Sequence, residues 1–314
     1  MTLHHPMDTS CKFCGTPVSF YDKGENVRIG YVILGRELLP VSNPLVLVNG
    51  LGMTLEHWES LVNGLSKRRC LLLFDNRGIG HSKCVGDAGN FDITMSNMAN
   101  DLLDLLVHIG WHQVDILGWS MGAAIVQQLL IENKYQGVVK IPRVIFAAAS
   151  SKIPDGEPDA IPKLGIMYGM AESYVGNRSA AEFRRSLKDG VEVYFDPAFV
   201  KTNDAVVQRW IDLVAPGTRQ TIILGKQGVA GVGIDYRPRL SQLPSSTRLF
   251  IIHGAKDRIV FPHESECYRV LHQSESLAVG EEPGTVPSLD FGHAWWEYFT
   301  PQIWVDVILA FLEP

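Results

Sequence analysis

A chain of 314 residues with 46% hydrophobic and 20% charged residues has the balance of an ordinary globular protein, long enough for one large domain with an insertion or for two smaller ones. Its formal net charge of -6, without any extended run of Lys or Arg, excludes the basic footprint of a nucleic-acid binder, and no stretch nears the ~20 consecutive apolar residues of an integral membrane helix. The first ten residues lack the basic and apolar regions of a secretory signal, and five unevenly spread cysteines make no disulfide framework, so a reducing, cytoplasmic setting is the expectation.

Residues 27–35 read as an early strand and residues 45–48 as a short strand apolar on both faces, as expected where helices cover both sides of a sheet. A helix is expected over 54–65, a strand over 70–74, and then the turn 75–80. From Ile93 to Ile109 the apolar residues fall at helical spacing with Asp101 and Asp104 opposite. A strand over 114–117 leads into Gly118-Trp119-Ser120-Met121-Gly122, followed by a helix over 123–131 and a strand over 144–149. Strand and helix alternate throughout, which is the signature of parallel βαβ units.

The pattern changes after Ser150. Residues 151–243 hold no strongly apolar strand but several helical stretches and scattered aromatics, among them Tyr168, Tyr174, Phe183, Tyr194, Phe195, Phe199 and Trp210. The sheet pattern resumes with a strand at 249–253, a helix at 262–271, a weak strand at 276–279 and a last helix at 294–312. The organisation that follows is an N-terminal extension (1–26), a core in two pieces (27–150 and 244–314), and a helical cap inserted between them (151–243).

Gly118-x-Ser120-x-Gly122 lies between a short apolar strand and a helix. A serine there occupies a strained turn, small residues on either side let neighbouring backbone pass closely, and the helix N-terminus offers free N–H groups. Such a nucleophile needs a base, and the base an orienting acid; in the fold where this strand-turn-helix motif occurs, the chain order is Ser, then Asp or Glu, then His. Of ten histidines, His293 follows the last strand and precedes the final helix, where a loop can carry imidazole over the serine. His253, His108, His112, His57 and His263 have structural readings, and His4, His5 and His272 look exposed. His81, after the turn at Gly80, is the strongest competitor. Asp257, at the end of an apolar strand, is the preferred acid, with a turn-capping role as its plain alternative and Asp155 as the fallback. Acyl transfer also needs N–H donors for a developing oxyanion, expected from Met121 and from Leu51 in the loop Asn49-Gly50-Leu51-Gly52. Trp119, Gly50 and Gly52 are the candidates for the substrate pocket.

Five pieces in this order resemble the α/β-hydrolase superfamily: VLVNGLG at 46–52, FDNRGIGHS at 74–82, GWSMG at 118–122, HGAKDRIV at 253–260, and Gly292-His293. The resemblance implies a mostly parallel central sheet flanked by helices with an inserted helical cap. It also implies a small-molecule ester, thioester, lactone or related acyl substrate attacked by Ser120, without a cofactor or metal. Ser at position 120 sets the chain apart from relatives with an aspartate nucleophile, such as epoxide hydrolases and haloalkane dehalogenases. Asn49 departs from the His that many relatives carry before the glycine. Monoacylglycerol lipases, enol-lactonases and small carboxylesterases are similar, and an acyltransferase or a non-catalytic small-ligand sensor uses the same residues. Oligomeric state is not legible. Cys11 and Cys14 have the spacing of a zinc knuckle, but four ligands are required and no second pair exists, so free thiols are expected.

Overall fold

The computed structural model describes residues 10–84, 92–132, 134–152, 180–214 and 221–313. His4, His5, Asp155, Tyr168 and Tyr174 lie outside them, as does the side chain of Phe183.

Among the described residues, nine strands form one sheet: β1 (Ser19–Lys23), β2 (Val27–Leu34), β3 (Leu45–Val48), β4 (Leu71–Phe74), β5 (Lys83–Cys84), β6 (Asp115–Trp119), β7 (Arg143–Ala147), β8 (Arg248–Ile252) and β9 (Ser274–Ser276). Their order is β1-β2-β4-β3-β6-β7-β8-β9, with β5 also on β2. Every pair from β4 through β9 is parallel, and β2 meets β1, β4 and β5 antiparallel. The expected strands are present. Strand β1 is an addition inside the stretch read as an extension; its residues are mostly exposed, so it carries no apolar run to announce it.

The all-apolar runs are explained by their two faces. Leu45 and Leu47 of β3 join one hydrophobic cluster, whereas Val46 and Val48 join the other. The first cluster is covered by α1 (Glu59–Leu65) and the C-terminal helix, the second by α2 (Met95–Ile109) and α3 (Met121–Glu132). Chain order reverses around β3 and β6, so their carboxyl ends open at the switch point where ligands bind in such sheets.

Between β7 and β8 the chain inserts α4 (Ala180–Glu192), α5 (Pro197–Thr202), α6 (Asp204–Val214) and α7 (Thr221–Gly231). This is the helical insertion read from the sequence. The region past β8 departs from expectation in three places. A 3-10 turn (Pro262–Ser265) and a single helical turn, α8 (Glu266–Arg269), replace the helix at 262–271, and β9 begins two residues early. The last helix is also broken: a 3-10 turn at Trp295–Glu297 precedes α9 (Pro301–Leu312), and Phe299 between them takes φ 63. Pro301 cannot donate to a preceding turn and holds Thr300 extended at ψ 146, so a continuous helix is barred.

The turn after β4 is fixed to α2 by Arg77, whose Nε and Nη2 donate to the two oxygens of Asp101, both at 2.6 Å. Its remaining donors reach the carbonyls of Asp92 and Asn97. Because Asp101 is buried, removing the guanidinium strands a carboxylate whose remaining ion-pair partner among the described residues is Lys23. Arg77→Met should therefore lose about 3 kcal/mol of unfolding free energy in urea, at the lower edge of the range for breaking a buried pair.

Candidate active site

Ser120 follows β6 directly and sits at φ 56, the left-handed region that non-glycine residues avoid. The turn is held by Ser120 N–H donating to Ala147 O at 2.9 Å and by Ala123 N–H donating to Ser120 O at 2.9 Å. Small neighbours are a steric necessity here. A Cβ at Gly118 would lie 2.8 Å from Ala123 Cα, and one at Gly122 would collide with the carbonyls of Val48 and Asn49. The start of α3 therefore presses on the end of β3. In consequence Gly50 lies beside Ser120: its missing Cβ would be 3.3 Å from Ser120 Cβ.

This approach brings the loop after β3 and the first turn of α3 together. Met121 opens α3, so its N–H has no partner within the helix. Among the described residues neither Met121 nor Leu51 donates its backbone N–H within the protein. The ends of the Leu51 loop are pinned by side chains from the turn after β4. Asn76 Nδ2 donates to Asn49 O at 3.2 Å, and Asp75 Oδ1 accepts Leu55 N–H at 2.7 Å. Asn49 spends its own amide on Phe74 O at 3.0 Å, which links the loop to β4.

His293 and Asp257 form a buried pair, with Nδ1 2.8 Å from Oδ2. With the proton on Nδ1, Nε2 is left as the acceptor. The turn-capping reading of Asp257 is also met, by its other oxygen: Oδ1 accepts the N–H groups of Ile259 and Val260 at 2.9 and 3.0 Å. A fixed carboxylate thus results from the turn itself. His253 stands on the same carboxylate, with Nε2 3.5 Å from Oδ2 and 2.9 Å from Val260 O. Burial pushes Asp257 upward, but the charges and hydrogen bonds of His293 and His253 outweigh it and hold the carboxyl well below its ordinary range.

Trp119, a candidate for the pocket, is fully enclosed and has a different task. Its indole N–H donates to His293 O at 2.9 Å, and its ring lies 5.3 Å from the imidazole, centroid to centroid. His293 is therefore braced by the residue that immediately precedes Ser120. The insertion contributes too: Ala294 N–H donates to Tyr194 O at 3.1 Å, and the Tyr194 ring lies 5.6 Å from that of His293. Gly52, also a pocket candidate, is capped by Leu224 of α7.

His81 is not part of this pair. Its Nε2 is 3.0 Å from Glu56 Oε1, and its backbone N–H donates to Asp75 Oδ2 at 2.7 Å. His108 lies against Tyr21, at 4.7 Å between centroids. Cys11 and Cys14 are close enough to share a hydrogen bond, and burial, followed by that bond, pushes the Cys11 thiol up to about 12. No group of three His, Cys, Asp or Glu among the described residues could hold a metal ion. No helix there is long and apolar enough to cross a membrane.

A family model described as alpha/beta hydrolase fold matches residues 43–280. A soluble epoxide hydrolase from Corynebacterium sp. (strain C12) is 26% identical over 107 residues, so the match takes in only about a third of that protein's length (34%) and 34% of this chain. An enol-lactonase from Burkholderia xenovorans LB400 superposes with a TM-score of 0.70 at 19% identity, covering 94% of this chain and 100% of that one. An esterase from Exiguobacterium antarcticum gives a TM-score of 0.72 at 18% identity, covering 94% and 99%.

The Glu56–His81 contact makes a pH-dependent prediction. Burial raises Glu56, but hydrogen bonds from His81 and Thr54 bring it to about 2, below its ordinary 4.5. The Glu56 hydrogen bond raises His81 above 6.5, burial notwithstanding. The depressed acid stabilises the fold above pH 4.5 and the raised base stabilises it below 6.5, so the pair contributes most between these values. Asp75, raised by burial and then by Glu56 to about 7, works against the pair across this window, because its own contribution is full below pH 3.8 and is lost as pH rises towards 7. His81→Ala should cost about 1–3 kcal/mol at pH 5.5 to 6.5, and the deficit relative to wild type should narrow as pH rises past the raised histidine value. Urea titrations across pH 5 to 9 read this directly, and a deficit independent of pH would contradict it.

Proposed function

The chain belongs to the α/β-hydrolase fold family, and from that membership we propose that it is a serine hydrolase cleaving a carboxylic ester, lactone or related acyl bond of a moderately apolar small molecule. The observation that carries this reading is the buried 2.8 Å contact between His293 Nδ1 and Asp257 Oδ2, which the Trp119 indole joins to the strand-to-helix turn where Ser120 is held at φ 56. Ser120 in place of an aspartate argues against the epoxide chemistry named for the Corynebacterium relative, which needs a carboxylate nucleophile.

In the proposed reaction His293 Nε2 takes the proton of Ser120 Oγ as the oxygen adds to the acyl carbon. The carbonyl π electrons move to oxygen, and the resulting oxyanion accepts hydrogen bonds from the N–H groups of Leu51 and Met121. Collapse expels the alkoxide, which receives the proton from His293 and leaves as the alcohol. Water then repeats the sequence on the acyl-enzyme, releasing the acid and restoring Ser120. Asp257 keeps the imidazole in the required tautomer and stabilises the imidazolium that forms at each half-reaction. The aromatic side chains around His293 exclude water, which strengthens these charge interactions.

Mass spectrometry after treatment with a fluorophosphonate tests the nucleophile. A single adduct on Ser120 is expected, absent in Ser120→Ala and slowed in His293→Ala; folded protein that takes no adduct would overturn the reading. With model esters of increasing acyl length, turnover should continue over many cycles and favour medium over acetyl chains. Asp257→Asn, which leaves the geometry but favours the wrong tautomer, should lower kcat by about 10⁴.

A further inference from the structure

The loop that carries Leu51 is tied at both ends to the core, but its middle is held from the insertion. Gly52 N–H donates to Oε1 of Gln227 on α7 at 3.0 Å, across 175 residues of sequence. Gln227 is 1% exposed. The contact is embedded in close packing: a Cβ on Gly52 would lie 2.5 Å from Leu224 Cδ2, and one on Gly78 would lie 2.8 Å from Ile223 Cγ2. Leu224 and Gln227 are three apart and share a helix face, so α7 lays an apolar and a polar side chain on one glycine. Gly52 itself is at φ 66, where a side chain would be strained.

The location of this bond matters more than its strength. The peptide plane that carries Gly52 N–H follows the plane that carries Leu51 N–H, and only the two soft dihedrals of Leu51 separate them. Fixing one plane therefore restricts the other. The amide is also an expensive way to fill the space. Gln227 Nε2 is buried without a partner among the described residues, a cost that Leu or Met in the same position would avoid. The acceptor on Gly52 is the one evident return for it.

We propose that Gln227 is a positioning residue for the oxyanion-binding loop, so that the Leu51 donor is set only when α7 is seated on the core. This rests on the serine-hydrolase reading for its catalytic consequence, though not for its structural one. The inserted region then acts on the transition state and not only on substrate access, because a substrate that bound without α7 in place would meet an oxyanion hole with one donor out of line.

Two readouts separate the possibilities. Gln227→Met keeps length and packing but removes the acceptor; Gln227→Glu keeps an acceptor oxygen in either protonation state. Amide hydrogen exchange should show residues 50–54 exchanging about tenfold faster in Gln227→Met and near wild type in Gln227→Glu. In ester turnover, Gln227→Met should lose about tenfold in kcat with KM within about twofold, and Gln227→Glu should restore most of it. Equal protection of the loop in all three proteins, or equal losses in both variants, would overturn the proposal. If Gln227→Met does not fold, Gln227→Ala takes its place under the same criteria. A wild type that turns over no ester would refute the hydrolase reading, while the exchange data would still decide the role of Gln227.

Discussion

The packing of the first turn of α3 against the end of β3 is the contact on which the site depends. It exists because Gly122 has no side chain to hold the Val48 and Asn49 carbonyls away. Once the two elements meet, β6 has no room to continue and must turn sharply, which puts Ser120 in the left-handed region. The same approach sets the N–H of Met121 beside the loop that carries Leu51. Strain at Ser120, of the order of 1–3 kcal/mol for such a conformation, is held by the parallel strands β3, β6 and β7 on either side. A buried nine-stranded sheet is a stiff enough frame to impose it.

Around that frame, charge is buried only where geometry fixes it. Asp257 has one oxygen committed to the backbone of its own turn and the other to two imidazoles, so its ionised form is kept despite full enclosure. Asp75 has both oxygens on backbone N–H groups, yet burial and the neighbouring Glu56 push it up to about 7. The difference between the two lies in their neighbours. Asp257 faces histidines directly, whereas Asp75 faces a carboxylate and reaches His81 through its main chain. One aspartate is thereby suited to stabilise an imidazolium, and the other to hold the turn and the Leu51 loop.

The inner parallel strands were legible because each carries a short run apolar on both faces, as β3 and β4 show, and a sheet covered on both sides demands that. The strand-to-helix turn at Ser120 was legible because its glycines are steric requirements. Asp257 and His293 were placed by chain order and by their position at strand ends. What was not legible depends on contacts distant in sequence. Trp119 reads as a pocket residue because it lies beside Ser120, but strand alternation sends its ring into the opposite cluster, where it meets His293 O 174 residues away. Gln227 carries no local signal at all, since its partner is a backbone N–H in another segment. Strand β1 and the broken last helix were missed for local reasons: β1 is mostly exposed and lacks an apolar pattern, while the apolar run 294–312 conceals the stop that Pro301 imposes.

The insertion touches the two halves of the site in different ways. Toward the base, Tyr194 offers a carbonyl to Ala294 and a ring to His293, but His293 is already fixed by Asp257 and by the indole of Trp119, both from the core. Toward the proposed oxyanion loop, Gln227 and Leu224 hold Gly52, while the side-chain hydrogen bonds from Asn76 and Asp75 of the core reach the ends of that loop. In the proposed reaction the proton-transfer pair is thus fixed mainly from the core, with Tyr194 added from the insertion, while the Leu51 donor depends partly on the inserted helices. A second anchor of the insertion supports the same division: Glu297, next to the broken final helix, accepts from Arg209 and Trp210 of α6 and from Ser60 of α1. It ties the insertion to the core four residues beyond His293, through α6 and not through α7. In this architecture the chemistry can be conserved in the core while the insertion adjusts how well the transition state is held.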